Sequence, residues 1–191
     1  MMRDAHIRNM SKVISLVLFF LLATNAACAD QNSPRLPALF DELQRATDPL
    51  SAVETERDIW RIWSLPDRRE VSVPFAQGVL SMNEGKLKQA MALFSNVVKT
   101  APDFAEGWNK RATVAYYLGD LDTSVHDIQK TLALEPRHFG AMSGLALIYE
   151  ATGLHERALD VLIQVKEIYP AMAGIDERMR MLRDAIQAKK T

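Results

Sequence analysis

An all-α solenoid is the fold class this sequence predicts, and three observations predict it. Pro102, Pro136 and Pro170 stand 34 residues apart. Gly85, Gly119 and Gly153 keep the same interval, as do two rows of small residues, Ala90, Ser124, Ala158 and Gly78, Ala112, Ala146. A third kind of row is apolar: Phe94, Ile128 and Leu162, followed three positions later by Val97, Thr131 and Val165. Self-similarity at a fixed period of roughly 20–50 residues marks a repeat architecture, in which each unit buries its faces only by stacking on its neighbours.

Length and composition bound the rest. At 191 residues, with 48% hydrophobic and 25% charged side chains, the proportions are those of a globular chain. A formal charge of −1 provides no concentrated basic face for nucleic acid. One cysteine excludes an internal disulfide framework and a cysteine-rich zinc site.

Residues 1–29 read as an export signal. Arg3, Arg8 and Lys12 precede an apolar run from Val13 to Ala23, shorter than the ~20 residues that span a bilayer, and Ala27 and Ala29 form a small-x-small cleavage pattern. Removing this segment takes away a net charge of +2, so the formal charge falls from −1 to −3, which favours solubility. Cys28 leaves a second outcome open. Ala26-Ala27-Cys28 resembles the end of a bacterial lipoprotein signal, although Asn25 stands where that signal usually has an apolar residue. The expected product is cleaved after Ala29 and exported to a bacterial periplasm with no transmembrane span; the alternative is lipidated at Cys28.

Residues 30–70 form the next segment. Residues 30–35 are polar and read as a flexible lead. Leu39, Phe40 and Leu43 mark one helix, and Val53, Ile59, Trp60 and Trp63 mark a second, with Asp48-Pro49 as the turn. This pair is shorter than a full unit and lacks its small-residue rows, so it reads as a degenerate repeat packed on the first true one. Pro66 and the charges from Asp67 to Arg69 place the linker at 64–70. Trp60 and Trp63 are expected in the core, with homo-oligomer formation through their face as the alternative.

Residues 71–172 divide into units 71–104, 105–138 and 139–172, and they resemble the tetratricopeptide repeat family, whose 34-residue unit is a pair of antiparallel helices. The middle unit carries the resemblance best, with Trp108 at the family's aromatic fourth position and Tyr116-Tyr117-Leu118 leading into Gly119. The glycines then occupy the turn between paired helices, and the small rows let those helices approach. Each proline closes a unit, because it cannot continue a helix but can begin one. Pro74 and Met142 depart from the family at the fourth position, and Gln77 and Arg111 at the seventh, usually leucine. Residues 173–191 carry Ile175, Met179, Leu182 and Ile186 at helical spacing among Arg178, Arg180, Arg183 and Lys189, the pattern of a solvated capping helix.

The residues available for chemistry argue for binding. His126, His138 and His155 lie in different elements without zinc-motif spacing, and there is no phosphate-cradling glycine loop or Gly-x-Ser-x-Gly elbow. No catalytic residue, metal or cofactor is expected. Arg111 admits two readings, pairing with a carboxylate such as Glu106 or Asp127, or reaching into a ligand groove.

The resemblance implies such a groove, lined by the first helix of each unit. Carried over position by position, it takes Phe75, Val79, Met82 and Asn83 from the first unit. The second supplies Glu106, Asn109, Lys110, Thr113, Tyr116 and Tyr117, and the third Ser143, Leu147 and Glu150. Rings and amides on a rigid wall suit an extended peptide or helix of a protein partner. Chaperone-binding members of the family grip a terminal carboxylate with lysine, asparagine and arginine. The matching positions here hold Phe75, Val79, Lys110, Gly140 and Gly144, which disfavours an acidic C-terminal tail. The resemblance thus implies a non-enzymatic adaptor or scaffold, and the alternative is a lipid-anchored structural subunit of an envelope assembly.

Overall fold

The turns between paired helices show why the period exists. The computed structural model describes residues 30–66 and 68–189, so the signal-peptide reading, with Ala27, Cys28 and Ala29, lies outside the described residues. Gly85, Gly119 and Gly153 have φ of 72°, 80° and 73°, the left-handed region that side chains beyond glycine enter at a cost. Each connects two helices of a pair: α3 (Arg69–Asn83) with α4 (Leu87–Thr100), α5 (Ala105–Tyr117) with α6 (Leu121–Leu134), and α7 (Phe139–Ala151) with α8 (His155–Ile168). Two helices precede them, α1 (Leu36–Arg45) and α2 (Pro49–Trp63), and α9 (Ile175–Ala188) follows. Among the described residues there is no strand.

The small rows are buried where the paired helices meet. A side-chain carbon added at Gly78 would lie 2.7 Å from the Phe94 ring, so glycine is what admits that ring. Ser124, the polar member of its row, donates to the Ala112 carbonyl at 2.9 Å and so is buried without an orphaned hydroxyl. Phe94, Ile128 and Leu162 are buried, as are Val97, Thr131 and Val165. At the far end Ile175, Met179, Leu182 and Ile186 of α9 all turn inward against the last repeat. No helix of the described residues is long and apolar enough to cross a membrane.

The N-terminal pair is placed differently from the expectation. It does not stack on the first repeat but lies along the row of turns that join successive repeats. Gln31 clasps the first such turn, accepting the Ala105 amide at 3.2 Å and donating to the Asp103 carbonyl at 2.5 Å. Trp63 stacks on His138 at the second, with ring centres 4.1 Å apart and planes 10° from parallel. At the end of α8, Gln44 donates to the Glu167 carbonyl at 3.0 Å. The physical reason is apolar demand: Phe40, Ile59, Ile62, Trp60 and Trp63 find Phe139, Met142, Leu162 and Tyr169 on this edge, in one core.

Three expectations change with that placement. The lead at 30–35 is pinned, with Gln31 and Ser33 buried. Trp63 is 1% exposed and packed within the chain, in the core as expected, while Trp60 is half-buried. Among the described residues nothing caps the outer side of α3, and Val73 and Leu80 stand exposed on it. Val53, expected to help mark the core side of α2, is exposed as well.

Candidate partner-binding groove

Helices α5 and α7 run side by side, and the residues facing each other across them are small. Gly140, Ala141 and Gly144 on α7 oppose Asn109, Ala112, Thr113 and Tyr116 on α5. On a helix, positions three and four apart share a face, which is why Asn109, Thr113 and Tyr116 align on one wall and Ser143 and Leu147 on the other. The missing side chains leave a cavity of about 200 Å³, floored by Ser124 and Ile128 of α6. A second hollow of about 380 Å³ adjoins it through Gly140 and Ser143, walled by Val53, Glu56 and Trp60 of α2 and by Tyr169, Met172 and Ala173 after α8.

Five expected groove residues, Asn109, Thr113, Tyr116, Ser143 and Leu147, therefore line one cavity. Tyr117 stands beside Tyr116, ring centres 5.9 Å apart, and is 61% exposed. The others are spent elsewhere. Phe75 is buried against Phe94 and Phe104, at 5.8 and 5.2 Å, and Val79 and Met82 pack on the same core. Glu150 pairs with Arg178 of the capping helix at 2.7 Å.

Glu106 is fully buried and presents nothing to a partner. Its carboxylate meets Lys110 Nζ at 3.0 Å, Asn109 Nδ2 at 2.8 Å and His138 Nε2 at 2.9 Å. Burial alone would push this carboxyl up, but the Lys110 ammonium and the His138 hydrogen bond outweigh it and hold the pKa at about 2. His138 Nδ1 accepts the Ala141 amide at 3.1 Å and so caps α7, which assigns the ring proton facing Glu106 to Nε2. Lys110 also lies 5.6 Å from the Trp60 ring centre, so the one remaining basic position of a carboxylate clamp is already committed.

Arg111 takes the pairing reading. It forms a bidentate bridge to buried Asp127 at 2.6 and 2.7 Å, with its guanidinium 4.9 Å from the Trp108 ring centre. Leu145 and Val161 hold the equivalent positions in the third repeat, so an ion pair here replaces an apolar contact.

Residues of α2 are the part of the site that sequence reasoning missed. Glu56 accepts Trp60 Nε1 at 3.3 Å and the Tyr169 hydroxyl at 3.0 Å, and it is the one charged side chain among those lining the two hollows. Burial, reinforced by the Glu56 carboxylate, pushes the Tyr169 phenol well above its usual value. Among the described residues no three His, Cys, Asp or Glu side chains stand close enough to share a metal ion.

Comparison with known proteins agrees with this geometry. A tetratricopeptide repeat family profile matches residues 109–173. A TPR repeat-containing protein of Rhizobium etli is 30% identical over 92% of this chain and 94% of its own. Among solved structures, the first TPR of Spaghetti (RPAP3) bound to the HSP90 peptide SRMEEVD superimposes with a TM-score of 0.60 at 18% identity, covering 62% of this chain and 94% of that one. The TPR2B domain of yeast Sti1 in its Hsp70 complex gives 0.57 at 18% identity, over 63% and 99%, and the MamA protein gives 0.59 at 16% identity, over 80% and 76%. The period, the paired helices and these matches together place the chain in the tetratricopeptide repeat family.

Proposed function

We propose that this protein is an exported, non-enzymatic adaptor that holds a segment of another protein in the groove between α5 and α7. The observation that carries this reading is the convergence of Asn109, Thr113, Tyr116, Ser143 and Leu147 on one open cavity, with exposed Tyr117 alongside. Apolar floor, amide and hydroxyl walls and an accessible ring are the ingredients of a peptide-anchoring pocket. Structural neighbours solved with HSP90 and Hsp70 peptides support the use of this fold for peptides. The peptide of the first, SRMEEVD, is acidic toward its end, and here Lys110, the lysine a matching cation would come from, is taken by Glu106, so the proposed partner segment is not an acidic tail.

Export rests on the order of basic, apolar and small residues in 1–29. Photo-crosslinking in cells from a reactive residue in place of Tyr116 tests the groove. One dominant envelope protein, lost when Ser143→Arg fills the cavity, is the expected result. Crosslinks indifferent to Ser143→Arg, or none from a folded protein, place binding on another surface. Ala26-Ala27-Cys28 favours a second reading, a lipid-anchored assembly subunit; fatty-acid labelling abolished by Cys28→Ser would establish it.

A further inference from the structure

The hollow beside α2 has a feature that a structural latch does not require. Glu56 is half-buried there, and its two hydrogen bonds tie α2 to the turn after α8 through Trp60 and Tyr169. A carboxylate offers about four acceptor positions, so two remain. Neighbouring carboxylates of comparable or deeper burial are matched: Glu106 by Lys110, Asp127 by Arg111, Glu150 by Arg178 and Glu135 by Arg137. Glu56 enters no ion pair among the described residues. Around it stand an aromatic ladder, Trp60 against Phe139 at 5.4 Å and Phe139 against Tyr169 at 5.5 Å, and the aliphatic surfaces of Val53 and Met172.

We infer that the hollow formed by Glu56, Trp60, Phe139 and Tyr169 is a slot for a lysine or arginine side chain of the partner segment, set next to the apolar cavity between α5 and α7. This rests on the adaptor reading and adds what the partner must carry. An aliphatic stem lies along the rings and Met172 while the charged head reaches the open acceptor positions of Glu56, gaining an ion pair and a cation–π contact together. Gly140 and Ser143 border both hollows, so the cation and the apolar anchor belong to residues a few positions apart on one segment. The groove then selects a basic and apolar sequence, the opposite polarity to an acidic tail.

Panning a random 12-residue peptide library on the full-length chain tests the slot. Enriched peptides are expected to carry Lys or Arg within a few residues of an aliphatic side chain and to lose binding to Ser143→Arg. Replacing that Lys or Arg by Gln in the peptide should weaken binding to the unaltered protein about tenfold or more, but at most about twofold to Glu56→Gln. Glu56→Gln retains hydrogen-bonding atoms for both neighbours, its Oε1 accepting from Trp60 Nε1 and its Nε2 donating to the Tyr169 oxygen. If Glu56→Gln does not fold, the peptide-side exchange and its salt dependence on the unaltered protein read the same interaction. Peptides blocked by Ser143→Arg but indifferent to their basic residue overturn the slot and leave the groove standing. No peptide sensitive to Ser143→Arg overturns both.

Discussion

Replacing Gly140 by alanine tests the unexpected position of the N-terminal helices. A methyl group at Gly140 would sit 2.4 and 2.8 Å from the Cη2 and Cζ2 atoms of Trp60, closer than packed carbons approach. Trp60 must then withdraw from α7, and the cost of such overpacking is about 1–3 kcal/mol. Against it stands the gain from removing a helical glycine, at most about 1 kcal/mol and smaller at this second residue of α7. The net expectation is a loss of about 1–2 kcal/mol. Gly144, one turn further along, is the internal comparison: its methyl would meet only Ile128 Cδ1, at an ordinary 3.7 Å, so Gly144→Ala should stabilise by about 0.5–1 kcal/mol. With an m-value of about 2 kcal/mol/M, the two variants should differ by about 1 M in their urea midpoints. Trp60→Ala is destabilising on its own, but in that background Gly140→Ala should become neutral or stabilising, a coupling that a double-mutant cycle reads directly. Stabilisation by Gly140→Ala with Trp60 present would show that α2 does not dock on α7.

Two other perturbations follow from buried charge. Arg111→Leu leaves Asp127, fully buried, with only His126 beside it, and should cost about 3 kcal/mol in urea unfolding; adding Asp127→Val, which copies the Leu145 and Val161 pair of the third repeat, should restore most of it. Glu106 binds its proton far more weakly in the folded chain, at about 2 against 4.5 unperturbed, so its contribution is complete above pH 4.5 and disappears as pH falls toward 2. That gap corresponds to about 3 kcal/mol, and unfolding midpoints measured from pH 7 to pH 2 should fall more steeply for the native chain than for Glu106→Gln.

The repeats were legible because their determinants are local. Gly85, Gly119 and Gly153 each answer a demand for positive φ within one turn, and Phe94, Ile128 and Leu162 fill a gap set by the adjacent helices. The capping helix was legible for the same reason, its apolar stripe being a property of its own sequence. The docking of α1 and α2 was not. Stacking on the first repeat and lying along the turns bury the same Trp60 and Trp63, and periodicity within a helix says nothing about which distant surface receives it. A glycine at position 140, early in α7, was the available signal, since it leaves space that Trp60 fills. Position-by-position transfer named Asn109, Thr113, Tyr116, Ser143 and Leu147, and these five line one cavity between α5 and α7. It misassigned Glu106 because a helix-face rule cannot see His138, at the far end of the same unit where α7 begins, folding back to bury it.

The polarity of the groove is consequently decided outside the repeating units. Two charges that the resemblance places on the concave side are neutralised within the fold, Lys110 by Glu106 and Glu150 by Arg178. The second of those partners belongs to the capping helix, and the one unmatched charge at the groove, Glu56, belongs to α2. Stacking constrains the repeats tightly, because Gly78, Ala90 and Phe94 tolerate little change in volume. The flanking helices carry no such constraint at Glu56 or Arg178, whose side chains are only partly buried. Exchanging Arg178 for glutamine should therefore unpair Glu150 without disturbing any contact between repeats, at a cost of about 1 kcal/mol or less in urea unfolding.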